Sequence, residues 1–183
     1  DWVSWAYRNR IDERVIGFLR YRPELLFDFD PAHNPVAFPS PRSWEFAHRA
    51  LGKFEETPQL LSGALQACVG QAAGIELNAF VDSLDKMPDL DAILAGEKVT
   101  PPKEIDLQYA LASALVGRAI AAQNTDHNLE VIGRILSYAE RFSQKEMGVM
   151  LVSDMLRAIG DTLFTVPEFS EWAGSIGDIM LYD

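Results

Sequence analysis

Apolar residues recur at spacings of three and four along almost the whole chain, which is typical of amphipathic α-helices. Alternation of apolar and polar residues, which indicates strands, never extends beyond a few positions. The sequence also contains no Asn-Gly or Asp-Gly pair of the kind that closes a tight hairpin. We therefore predict an all-α protein, with a helical bundle in each half of the chain.

Signals for helix starts and stops divide the first half into five helices. Asp12 is placed to cap the second helix, which stops before Pro23. Ser40-Pro41 has the pattern of an N-cap followed by the first helical residue, and Thr57-Pro58 repeats it for the fourth helix. Gly70 is expected to end that helix before the fifth begins.

A long irregular stretch, Phe27–Pro41, separates the second helix from the third. It contains four prolines and several aromatic residues. A loop of this length without regular structure is either functional or a spacer.

The second half begins after an acidic, proline-containing boundary. We predict a helical domain over residues 1–87, a linker over residues 88–102 that contains a short helix, and a second helical domain over residues 103–183. Ser143 and Glu146 have the spacing of a capping box. Val166-Pro167 predicts a further short helix before the C-terminal tail.

The net charge of the chain limits the classes of molecule that it is expected to bind. The chain has 183 residues with 27 acidic and 16 basic side chains, for a formal net charge of −11. Because duplex binding needs a basic face, we expect no nucleic-acid partner. No apolar run reaches the roughly 20 residues of a membrane span, so no membrane partner is expected.

Cys68 is the only cysteine, which suits a reducing, cytoplasmic compartment. The chain opens at Asp1 without an initiator Met, as expected of a piece of a longer polypeptide.

Enzyme machinery is not visible in the sequence. There is no Gly-x-x-x-x-Gly-Lys-Ser/Thr phosphate loop and no Gly-x-Ser-x-Gly nucleophile elbow. Glu45 and His48 lie one turn apart but lack a third metal ligand, and His33 and His127 are distant in sequence. Cys68 falls on an apolar stripe and is interpreted as a buried small hydrophobe. We expect neither a catalytic residue nor a metal site.

Methionines recur in the second half, at Met147, Met150 and Met155. Their spacing is that of a helix core, and the other interpretation is a methionine-rich binding groove.

One segment, Phe38-Pro39-Ser40-Pro41-Arg42-Ser43-Trp44-Glu45, favours a binding role. Arg42 is predicted to be the second residue of a helix, where a cation faces the positive end of the helix dipole at a cost of about 0.3–1 kcal/mol. First-turn N–H groups lack partners within the helix, so a phosphate there would meet both the amides and the guanidinium. The alternative is that Arg42 forms a salt bridge with Glu45 or with an aspartate of the loop.

The triplet Ser40-Pro41-Arg42 at the start of a helix resembles the sensor-2 element in the lid of AAA+ ATPases, specifically the MoxR-like group. The organisation of residues 1–86 is similar to such lids, whereas the motif itself covers residues 40–45. The continuation Ser43-Trp44-Glu45 differs from the small residues of MoxR proteins proper. The nucleotide-binding core of that family, with its phosphate loop, Walker B acid and arginine finger, is not in this sequence.

The resemblance implies a function for the parent protein. The chain would be the C-terminal lid and helical extension of an ATPase, and Arg42 would sense the γ-phosphate of ATP bound with Mg²⁺ in an upstream core. Its partners would be that core, neighbouring ring subunits and a client protein remodelled in a chaperone-like way. The alternative is a free-standing helical adaptor that binds proteins without nucleotide chemistry, with the methionine-bearing half as its groove.

Overall fold

The chain folds entirely into helices and loops in the parts that the structure, a computed structural model, describes. These are residues 1–30, 32, 36–123, 125 and 127–180, with side chains described up to residue 175. Within them no residue lies in a β-strand, which confirms the predicted all-α class. None of the helices in this part of the chain is long and apolar enough to cross a bilayer.

Residues 1–87 and 104–110 form a first compact unit. Its helices are α1 (Trp2–Arg8), α2 (Glu13–Tyr21), α3 (Pro41–Lys53), α4 (Pro58–Val69) and α5 (Gln71–Ser83), with short 3-10 helices at Pro23–Leu26 and Leu84–Lys86. The first residues of α7 (Ile105–Ala122) complete it.

Most of the local signals in this unit act as predicted. The Asp12 carboxylate accepts the Arg14 N–H and caps α2. Pro41 and Pro58 each occupy the first position of their helices, although the Thr57 side chain makes no capping bond. Gly70 joins α4 to α5 with a φ of 88°, a value that favours glycine.

The core of the first unit is built around one aromatic triad. The Phe18 ring lies 5.6 Å from the Trp44 ring and 5.5 Å from the Phe80 ring, measured between centroids. The three residues come from α2, α3 and α5 and are almost fully buried. Burial of such large side chains is the main source of stability in a unit of this size.

Residues 88–103 and 111–183 form the second unit. It contains α6 (Leu90–Leu94), the rest of α7, α8 (Asn128–Ala139), α9 (Lys145–Ile159), a 3-10 helix at Gly160–Thr165 and α10 (Pro167–Met180). The residues predicted as a linker, 88–102, therefore group with the second unit, and residues 104–110 group with the first.

Two predicted ends in this half are wrong. The residue before α9 is Gln144, which makes no side-chain capping bond, so the predicted Ser143–Glu146 capping box does not form. Phe142, just before this helix, is buried, with its ring 5.8 Å from that of Tyr138 four residues earlier. The last helix is also longer than predicted: α10 continues to Met180, into the segment that was predicted to be a tail. Residues 181–183 of the predicted tail lie outside the described part of the chain.

Candidate functional site

The start of α3 is held by two serines that cap each other. Ser40 Oγ accepts the Ser43 N–H at 3.2 Å, and Ser43 Oγ accepts the Ser40 N–H at 2.8 Å. The Ser43 hydroxyl lies 2.9 Å from the Phe38 carbonyl oxygen and can donate to it. The reciprocal bonds fix the turn by which the loop enters the helix.

Arg42 is the second residue of α3 and is exposed to solvent. Its guanidinium carbon lies 5.9 Å from the centroid of the Phe46 ring, one turn further along the helix. Among the residues described, no carboxylate pairs with Arg42: Glu45 binds Arg49 instead. The salt-bridge alternative therefore has no support in this part of the chain, and Arg42 presents a positive charge at the positive end of the helix dipole.

The capping bonds leave fewer backbone N–H groups available to a phosphate at the start of α3 than the sequence predicted. Pro41 has no N–H, the Ser43 N–H is taken by Ser40 Oγ, and the Trp44 N–H donates to the Ser40 carbonyl oxygen at 3.0 Å. In the described structure this leaves the Arg42 N–H as the first-turn amide open to a ligand. A phosphate at this helix start would therefore meet one guanidinium and one N–H, rather than several amides.

Trp44 anchors this helix start to the core. The side chain is fully buried, and its indole N–H donates to the Leu25 carbonyl oxygen at 2.8 Å. Because Leu25 precedes the long loop and Trp44 follows it, this bond closes the loop at its base. Arg42 consequently projects from a backbone that is fixed by a buried residue two positions away.

The aromatic residues of the loop before Arg42 form an exposed cluster, a grouping that the sequence did not indicate. The Phe38 ring lies 4.7 Å from Phe29 and 6.4 Å from Phe27. The Asp28 N–H donates to the Pro39 carbonyl oxygen at 3.1 Å, which ties the two ends of the loop together. Phe27 and Phe29 are each more than half exposed, a large apolar area for a loop surface.

Glu45 and His48 do not converge on a common ligand. His48 accepts the Asp12 N–H at its Nδ1 atom, at 3.0 Å, and so joins α3 to the start of α2. His127 is exposed, with Nδ1 3.7 Å from a Glu130 oxygen. His33 lies outside the described residues. In the described part of the chain, no three His, Cys, Asp or Glu side chains come together as a metal site would require.

The cysteine and the methionines of the chain differ in how deeply they are buried. Cys68, predicted to be buried, is half-buried, and this burial raises the pKa of its thiol. Met147 and Met155 are buried in the core of the second unit. Neither of these two methionines is therefore available to line an exposed groove.

Comparison with protein-family models, with curated proteins and with solved structures finds no match to this chain.

Proposed function

We propose that this chain is the C-terminal lid and helical extension of a MoxR-like AAA+ ATPase, in which Arg42 senses the γ-phosphate of ATP held by an upstream core. One observation carries the proposal: an exposed arginine without a carboxylate partner in the described structure stands at the second position of a capped helix. An arginine there is electrostatically unfavourable in isolation, and an anion brought to the helix start removes that cost.

Because few backbone N–H groups are open at the start of α3, the site is better suited to sensing a phosphate than to binding a nucleotide by itself. A site that retains nucleotide by itself surrounds the phosphates with many backbone N–H groups, as a phosphate loop does. One guanidinium and one N–H supply only a few kcal/mol. Arg42 would therefore respond to a phosphate that other residues bind, and its planar fork suits the phosphate oxygens.

Rigidity at the helix start supports coupling between the phosphate and the first unit. Trp44 is fully buried and bonded to Leu25, so a force on the Arg42 guanidinium acts on the whole of α3. In the proposed ATPase, ATP would hold the lid against the core through Arg42, and loss of the γ-phosphate would release it. This is an electrostatic contact that biases a mobile domain. Mg²⁺ would be held with the nucleotide by the core.

The first test is the gene upstream of Asp1. The proposal requires an in-frame phosphate loop and Walker B acid encoded before this segment. A start codon directly before Asp1 would exclude it.

The second test uses the full-length protein with two matched substitutions in α3. Arg42→Ala should lower ATP turnover by about 10²-fold or more, as removal of a group that stabilises charge on a reacting phosphate does. Arg49→Ala removes an exposed arginine from the same helix, where it pairs with Glu45, and should change turnover less than about twofold. Equal turnover in both variants and the unmodified protein would refute the role of Arg42.

A further inference from the structure

Two arginines of the second unit reach the last residue of α6 and the segment after it. Arg134 of α8 donates from Nη1 to the Leu94 carbonyl oxygen. Arg141, seven residues later, donates from Nη1 to the Glu97 carbonyl oxygen at 3.1 Å. Both bonds fix residues 94–97 against α8 and the turn after it.

The two arginines differ in how their charge is balanced. Arg134 forms an ion pair with Glu130 on the same helix. Arg141 is exposed and has no carboxylate partner within the described ranges. Its guanidinium carbon lies 5.9 Å from the centroid of the Tyr138 ring. The ring and the Glu97 carbonyl oxygen hold the guanidinium at two points, and the Nε–H and Nη2–H groups stay open to a ligand in the described structure.

Arg141 also lines an open cleft of about 410 Å³. The cleft is lined by Lys98, Val99, Thr100, Pro101 and Arg141. Lys98 is exposed and, like Arg141, has no ion-pair partner in the part of the chain that the structure describes. The lining thus brings together two cations and a hydroxyl, with Val99 and Pro101 as apolar walls.

This local charge contrasts with the rest of the molecule, whose formal net charge is −11. Glu97 and Glu168 line a neighbouring cavity of about 180 Å³, which Arg141 also lines. Among the described residues that line the larger cleft there is no carboxylate, so its lining carries two positive charges and no negative one.

We propose that this cleft binds an oxyanion, a carboxylate or a phosphate group carried on a small organic body. The open edge of the Arg141 guanidinium can hold two oxygens of the ligand. Lys98 adds a point charge, the Thr100 hydroxyl can donate to a third oxygen, and Val99 and Pro101 contact the apolar part. The proposal concerns the second unit and is independent of the role of Arg42.

Amide chemical shifts of the ¹⁵N-labelled chain provide the test. The probes are inorganic phosphate, N-acetylalanine as a carboxylate on a small apolar body, and N-acetylalaninamide as its neutral counterpart. In about 20 mM salt, where exposed charges are little screened, one of the anions should give saturable shifts at Lys98, Val99, Thr100 and Arg141, with a Kd in the millimolar range. Tighter binding of phosphate would identify a phosphoryl ligand, and tighter binding of N-acetylalanine a carboxylate.

Substitutions distinguish specific binding of the anion in the cleft from non-specific attraction of the anion to surface cations. Arg141→Gln should raise the Kd at least tenfold, because the fork and its charge are lost. Arg118→Gln is the matched control: Arg118 is an exposed arginine of the same unit, 4.0 Å from Asp91, and its loss changes the net charge equally. This control should alter the Kd less than twofold.

Three outcomes would overturn the proposal. The first is the absence of saturable shifts at the cleft with either anion, and the second is an equal response to the neutral amide. The third is an equal loss of binding in the Arg141 and Arg118 variants. If Arg141→Gln disturbs the fold, Lys98→Gln and Thr100→Ala carry the same test from a loop, and unchanged binding in both would also overturn it.

Discussion

The packing of α4 against α5 depends on the absence of a side chain at Gly74. A Cβ atom placed on Gly74 would lie 2.5 Å from the Gln66 backbone nitrogen and 2.6 Å from the Gln66 Cα atom. Both distances are far shorter than ordinary van der Waals contact, and both involve backbone atoms that no rotamer change can move. Gly63, on α4, differs sharply, since a Cβ there meets no atom within 4 Å.

Alanine at Gly63 and at Gly74 therefore separates the effect of side-chain packing on stability from the effect of helix propensity. Within a helix, replacing glycine with alanine stabilises by about 0.5–1 kcal/mol. Gly63→Ala should raise the free energy of unfolding by that amount. Gly74→Ala receives the same gain but must push the two helices apart, and overpacking of this kind costs about 1–3 kcal/mol or more. Because the propensity gain is common to both variants, the difference between them measures the packing cost alone.

Urea unfolding followed by circular dichroism, together with thermal melting, gives this difference. In a chain of this size, about 1 kcal/mol corresponds to a shift in Tm of roughly 2–4 °C. Gly74→Ala should melt below the unmodified protein and Gly63→Ala above it. Equal stability of the two variants would show that α4 and α5 do not approach each other as closely as described above.

Three further substitutions test individual contacts of the described structure. Arg42→Ala should change the free energy of unfolding of this chain by less than about 1 kcal/mol, because an exposed contact with Phe46 is weak and its loss is partly offset by relief of the unfavourable dipole; a larger loss in urea unfolding would mark Arg42 as structural. His48→Ala should destabilise by about 1–3 kcal/mol, because the Asp12 N–H loses its acceptor, and a variant as stable as the unmodified protein in the same assay would contradict that bond. At alkaline pH the relevant group is Tyr138, since burial raises the pKa of its phenol to about 12. The unfolded chain therefore ionises first, and the free energy of unfolding should fall between about pH 10 and pH 12, by up to about 3 kcal/mol. Tyr138→Phe should keep stability at neutral pH and lose less of it over that range in unfolding measured at several pH values; an identical fall in both proteins would refute the assignment.

Local signals in the sequence were sufficient for most of the helices. Asp12 before α2, proline at the first position of α3 and Gly70 between α4 and α5 act over a few residues, so they are visible in sequence. The predicted capping box at Ser143 does not form: Gln144 precedes the helix without a capping bond, and the nearby Phe142 is buried in the core. Burial of that kind depends on the packing of the whole unit, which a local spacing does not represent.

The candidate site was predictable only in part for the same reason. The position of Arg42 in the first turn follows from Ser40 and Pro41, and the structure places it there, exposed. The bond from Asp12 to His48 joins residues 36 positions apart, and no sequence spacing indicated it. The Arg141 bond to Glu97 joins residues 44 positions apart and was likewise invisible. Whether Arg42 senses a phosphate stays a prediction.

The burial of Trp44 has a spectroscopic consequence. Of the four tryptophans, Trp44 is the one described as fully buried, whereas Trp2, Trp5 and Trp172 are partly or substantially exposed. Its indole emission therefore belongs to an apolar environment at shorter wavelength, and the hydrogen bond to the Leu25 carbonyl oxygen makes that emission sensitive to any displacement of the loop base. With Trp2, Trp5 and Trp172 replaced by phenylalanine, α3 carries an intrinsic fluorophore two residues from Arg42. Movement of this helix could then be followed in real time by emission, without attaching a dye.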